Sequence, residues 1–255
     1  AAPAPFLSED LAGVTLSPGV KLVSSDHGCH EYLCERNGMR VVWVPLHQGQ
    51  KAVVRRIIAG GSSIEPVGKE GWCHAYEHFL YKDGTAWNRF LGCMINAKTS
   101  NKHIVTEFDG TLDLLFDYLD FQVETMRGDH LRSITAAQFK SEIQNILDEK
   151  HRGDSSSGVF RHILETFNRY QLTAGNSKPT IGYEATLHNM RLEDLKGLHN
   201  LIASPDRNTL IVVSGVPRGH TVSSFVQALT DKFAAVDRYA FPDSEVKSLG
   251  AIPVA

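Results

Sequence analysis

The sequence predicts an α+β fold, with one mixed, largely antiparallel sheet and helices packed on it. Strand-like runs come first, helical stripes cluster in the middle, and a buried-strand run returns near the end. That order differs from the strict strand-helix alternation of a doubly wound fold.

Residues 1–27, with three Pro and several small side chains, read as an extended lead-in. Residues 31–46 hold two apolar-rich runs around Asn37-Gly38, a strong short-range hairpin signal. A third strand is expected over 52–60, closed by Gly60-Gly61, and a helix of about three turns over 71–84, ended by Gly84. Residues 94–108 are rich in Thr, Ile and Val around a polar turn at Ser100-Asn101-Lys102, and predict one or two strands. Leu112, Leu115, Leu119 and Val123 recur at three- and four-residue steps, the stripe of a helix from Thr111 to Met126. A second stripe, Phe139, Ile143, Ile146 and Leu147, marks a helix from Ala136 to His151, and Val159, Ile163, Phe167 and Tyr170 mark a third. A short helix over 192–203 stops at Ser204-Pro205. The apolar run from Asn208 to Gly215 suits a buried strand, and 223–236 a closing helix. Residues 28–240 are thus expected to form one domain, with 241–255 as tail or linker.

Composition narrows the function classes. The 26 Lys+Arg and 29 Asp+Glu are spread along the chain, whereas a nucleic-acid footprint needs a basic stripe. No run approaches the roughly 18 apolar residues of a membrane span. The N-terminal segment lacks the basic-then-apolar pattern of a signal peptide, so the reading is a soluble protein with any targeting peptide absent or already removed. The four cysteines lack the paired spacing of a structural zinc site. The 12 histidines are the compositional excess, and the question is whether any stand at ligand spacing.

His74-Ala75-Tyr76-Glu77-His78 does, as an HxxEH motif inside the predicted helix. At about 100° per residue, positions i, i+3 and i+4 share one face, so both imidazoles and the carboxylate point the same way. Two neutral imidazoles there can grip one Zn²⁺, and the carboxylate can hold the water the metal acidifies. A third ligand must come from elsewhere. The motif inverts the HExxH zinc-peptidase signature.

The motif and its surroundings, from about Glu31 to about Pro217, resemble the pitrilysin/insulinase family of zinc metallopeptidases, which includes the mitochondrial processing peptidases. The resemblance rests on ordered blocks: the Asn37-Gly38 strand pair, residues 59–65 ending in Glu65, the Gly71–Thr85 block, Asn96-Ala97-Lys98-Thr99-Ser100, the turn at 179–184 and the strand entry at 205–210. It implies a zinc-dependent endopeptidase acting on peptides or unfolded polypeptide, with one Zn²⁺ per chain held by His74, His78 and Glu149. Glu149 ends the family's E-x-x-x-V-x-x-E pattern, here Glu142 to Glu149; Asp148 and Glu165 fall out of its register. Glu77 is then the catalytic base. Glu142, two turns before Glu149, is expected to hydrogen-bond a ligating imidazole or help position water. Asn96, Ala97, Lys98 and Thr99 match the edge strand on which the family pairs an extended substrate.

Cys73 is expected to pack inward, and His103, His151, His162, His188 and His199 to be structural or surface residues. His27, Cys29, His30 and Cys34 have spacing too irregular for a metal site. The family's enzymes close two homologous halves around the substrate, and this chain resembles the zinc-bearing half only. Its length therefore implies a homologous partner subunit or second half. A structural or binding subunit is the alternative, although a scaffold has no physical need of Glu77. A processed mitochondrial and an exported bacterial protein both fit the Ala/Pro-rich start, so the compartment stays open.

Overall fold

The computed structural model describes residues 13–46, 49–82, 85–152 and 178–245. The expected third helix over Val159–Tyr170, with His162 and Glu165, lies outside the described residues, as do 246–255 of the expected tail.

A seven-stranded sheet forms the frame, in the order β1(Val20–Asp26), β2(Cys29–Cys34), β3(Arg40–Pro45), β7(Asn208–Ser214), β4(Lys51–Ile58), β6(Ile104–Thr111), β5(Met94–Thr99). Every neighbouring pair is antiparallel except β3 and β7. The expected mixed, largely antiparallel sheet is therefore the observed one. β7 sits between β3 and β4, and its alternating burial places Leu210 and Val212 in the core. Among the described residues, eight α-helices follow in chain order: α1(Trp72–Phe79), α2(Thr85–Arg89), α3(Leu115–Met126), α4(Asp129–Arg132), α5 over 136–152, α6(Glu184–His188), α7(Leu192–Ile202) and α8(Val222–Ala234). Among the described residues, no helix is long and apolar enough to cross a membrane.

The structure departs from the sequence reading at four places. Residues 20–26 are not lead-in but an edge strand, joined to β2 by a tight turn at His27-Gly28, where both φ values are positive. Only Val20 of that strand is buried, so it carries no alternating pattern to read. The Asn37-Gly38 hairpin exists, but Asn37 turns inward, and its amide donates to the Phe233 and Val236 carbonyls at 2.8 Å each, closing the C-terminal end of α8. α1 ends at Phe79 rather than near Gly84, because the Leu80 N–H bonds to the Glu77 carbonyl three residues back, tightening the last turn. Phe241, placed in the tail, is buried against His199, and Asn200 holds the backbone of Ala240 and Phe241.

Candidate metal centre

α1 is amphipathic in the sense the motif requires. It buries Trp72, Cys73, Ala75, Tyr76 and Phe79 against the core. His74, Glu77 and His78 are left on the other face, next to β5. α5 lies across this face and buries Ile143, Ile146 and Leu147, which turns Glu142 and Glu149 toward the histidines.

One nitrogen each of His74 and His78 and one Glu149 oxygen lie within 4.8 Å of one another. His78 Nε2 is 3.1 Å and His74 Nε2 3.7 Å from the Glu149 carboxylate. Donors around a tetrahedral Zn²⁺ at about 2.0–2.1 Å stand roughly 3.3 Å apart, and the two histidine contacts, one to each Glu149 oxygen, fall on either side of that value. Two imidazole nitrogens and one carboxylate are also the donor chemistry of catalytic zinc sites, which leave a further position open. The residues present therefore fit zinc.

Glu142 reaches the far side of the same imidazole, 2.8 Å from His78 Nδ1, and also accepts from Lys82 and, at 3.0 Å, from Asn145. This keeps the proton on Nδ1 and turns Nε2 toward Glu149. Burial works against a charge on Glu142, yet His78, Lys82 and Asn145 pull its carboxyl down to about 2. Burial likewise disfavours a charged His78, but its bonds to Glu142 and Glu149 prevail and raise it to about 9 in the metal-free chain. His74 is driven by burial, and then by His78, down to about 4, and is neutral at pH 7. The bond to His78 holds Glu149 below its ordinary range. Glu77 accepts from Thr99 Oγ1 at 2.6 Å; burial raises its carboxyl while that bond restrains the rise.

The four residues read as substrate-binding all lie on β5, the strand at one edge of the sheet. The Asn96 carbonyl accepts the Tyr81 hydroxyl at 3.1 Å, Ala97 is buried, and Lys98 pairs with Glu107. Beyond the backbone pairing expected of Thr99, its hydroxyl holds Glu77. Tyr81, Trp87 and Ala97 wall a recess of about 370 Å³ that opens onto Glu77 and His78. Asp148 is exposed and bonds Gln144, away from the centre. Cys73 is buried with its thiol toward the Gly61 carbonyl. His199 is buried between Tyr76 and the Met126 carbonyl, whereas His103, His151 and His188 lie at the surface. Among the described residues His27, Cys29, His30 and Cys34 form no metal-holding group: His27 and Cys29 are exposed, and His30 bonds Ser25.

The fold is similar to that of the pitrilysin-like metallopeptidase half-domains of known structure. In sequence the chain is similar to the zinc protease PqqE of Helicobacter pylori, 25% identical over 230 residues, a stretch covering 86% of this chain and 50% of that protein. The periplasmic protease PqqL of Escherichia coli superposes with a TM-score of 0.70 at 17% identity, over 87% of this chain and 26% of that one. Pitrilysin superposes with a TM-score of 0.67 at 19% identity, over 92% of this chain and 25% of that one. The chain thus spans about half the length of its curated relative and a quarter of these two solved chains. No protein-family model matches it.

Proposed function

We propose that this chain is the zinc-bearing half of a metalloendopeptidase that hydrolyses peptides or unfolded segments. The observation that supports this most is the meeting of His74, His78 and Glu149 beside Glu77 at the edge of the sheet. His74, His78 and Glu149 would hold one zinc ion, and Glu142 keeps the proton of the His78 ring on Nδ1. When bound there, zinc acidifies water and polarises the scissile carbonyl. Glu77 takes the proton of the attacking water and delivers it to the leaving amine. β5 pairs the substrate as an added strand through Asn96 to Thr99. A homologous second half or subunit completes the enclosure and supplies donors to the developing oxyanion.

Zinc content by mass spectrometry, together with cleavage of a flexible peptide by wild type and Glu77→Gln, tests this reading. The expected result is one zinc per chain in both proteins and a loss of about 10²–10⁴-fold in kcat for the variant. A zinc-free wild-type chain, or equal cleavage by both proteins, overturns the enzyme and leaves a structural subunit.

A further inference from the structure

The helix that carries the motif begins without a capping side chain of its own, because Gly71 stands at its N-cap. Its N–H groups are met from outside. The Gly71 N–H donates to one carboxylate oxygen of Glu65 at 2.9 Å and the Cys73 N–H to the other at 2.6 Å. Glu65 lies in the loop after β4 and is only 2% exposed. Burial pushes its carboxyl up to about 7 despite the two N–H donors. An acid is thus a costly occupant of this position, and a neutral side chain would lack the second acceptor.

The same first turn is braced from its other side. A Cβ on Gly71 would lie 2.6 Å from the Ile181 carbonyl and one on Gly182 2.2 Å from the Glu70 carbonyl, so the two turns touch backbone to backbone. Thr186 Oγ1 donates to the Glu70 carbonyl at 2.5 Å, and Trp72 Nε1 to the Thr186 carbonyl at 3.1 Å. Two sequence blocks remote from the HxxEH motif, 59–65 and 179–184, therefore converge on the start of α1. His74 follows Cys73 directly, so any rotation of this turn displaces His74 first. None of the hydrogen bonds of Glu65 reaches His74, Glu77, His78 or Glu149.

We infer that Glu65 is a positioning residue for the metal centre: by accepting both first-turn N–H groups it fixes the rotation of α1, and with it the aim of His74 and Glu77. The inference rests on the proposed metal-binding reading. Cobalt(II) titration of the full chain followed by visible absorption, with urea melts of the metal-free protein, tests it on wild type, Glu65→Gln and Glu65→Asp. Gln keeps the size but offers one acceptor; Asp keeps both on a shorter stem. Glu65→Gln is expected to lose about tenfold or more in cobalt affinity, with an altered visible band, and Glu65→Asp to recover part of both. Wild-type affinity and band in a folded Gln variant, whatever its melt, overturn the inference and leave Glu65 a fold-supporting cap. Loss of folding in both variants overturns it as well. A wild-type chain that takes up no cobalt overturns the metal reading itself and the role of Glu65 with it.

Discussion

Thr99 is the residue through which the sheet reaches Glu77, the proposed base. Its hydroxyl, 2.6 Å from Glu77, favours the ionised carboxylate and offsets part of what burial does to it. Removing that donor leaves burial less opposed, so Glu77 rises further and must be deprotonated at higher pH before it can act. Hydrogen bonds to charged groups contribute about 1.5–3 kcal/mol, and one pKa unit corresponds to about 1.4 kcal/mol. Thr99→Val is therefore expected to move the acidic limb of the kcat/KM profile up by about one pH unit, with metal content unchanged. A limb that stays in place means that the bond does not tune the base. The sequence made half of this site readable. His74, Glu77 and His78 are local, and a helix at 3.6 residues per turn brings them together whatever else the chain does. Glu149 and Glu142 are legible only through the family resemblance, because α5 approaches α1 through core packing that no spacing encodes. The roles of Thr99 and Glu65 went unread for the same reason: each acts through a hydrogen bond between elements.

Among the elements, α7 shows how a stripe that is readable in sequence can conceal a titratable core. Its buried face includes His199, whose Nε2–H donates to the Met126 carbonyl at 3.0 Å, while its Nδ1 accepts from Tyr76 at 2.9 Å. His130 of α4 lies 5.7 Å away ring to ring, Phe241 packs on the same imidazole, and the charges of Arg56 and Arg132 act on it. Burial drives His199 down to about 3 and His130 well down also. Both folded-state values lie below the ordinary imidazole value of about 6.5, so this stabilisation is complete above that pH. It is lost as the pH falls from about 6.5 toward about 3, where the unfolded chain takes up protons that the fold refuses. Urea midpoints measured between pH 7.5 and 4.5 are expected to fall less steeply for His199→Gln than for wild type, since the amide keeps a donor and an acceptor but cannot charge. Parallel slopes would mean that His199 is not among the groups responsible. Other elements escaped the sequence for reasons of length or exposure. α2, α4 and α6 have four or five residues each, too few to repeat a stripe. β1 lies at an edge with six exposed positions, while β4 and β7 were readable because alternate residues are buried along their whole length.

At the scale of the molecule, the sheet has two edges with different fates. β1 closes one edge with exposed residues, whereas β5 closes the other beside the proposed metal centre and the aromatic recess. In this chain, every side chain proposed to hold metal or move a proton comes from α1 or α5. On the proposed two-half reading, the donors to the developing oxyanion come from the second half. Metal binding and transition-state stabilisation should therefore separate experimentally. The ligands converge within one domain, so the isolated chain is expected to bind zinc stoichiometrically by calorimetry. Peptide pairing on an unenclosed β5 is expected to be weak, and turnover slow for want of oxyanion donors, each of which is worth about 10²–10³ in kcat. Adding a homologous second half should then raise kcat by at least about 10²-fold with zinc affinity unchanged. Full turnover by the isolated chain would instead mean that its own residues supply those donors, and the two-half reading would fall while the zinc site stood.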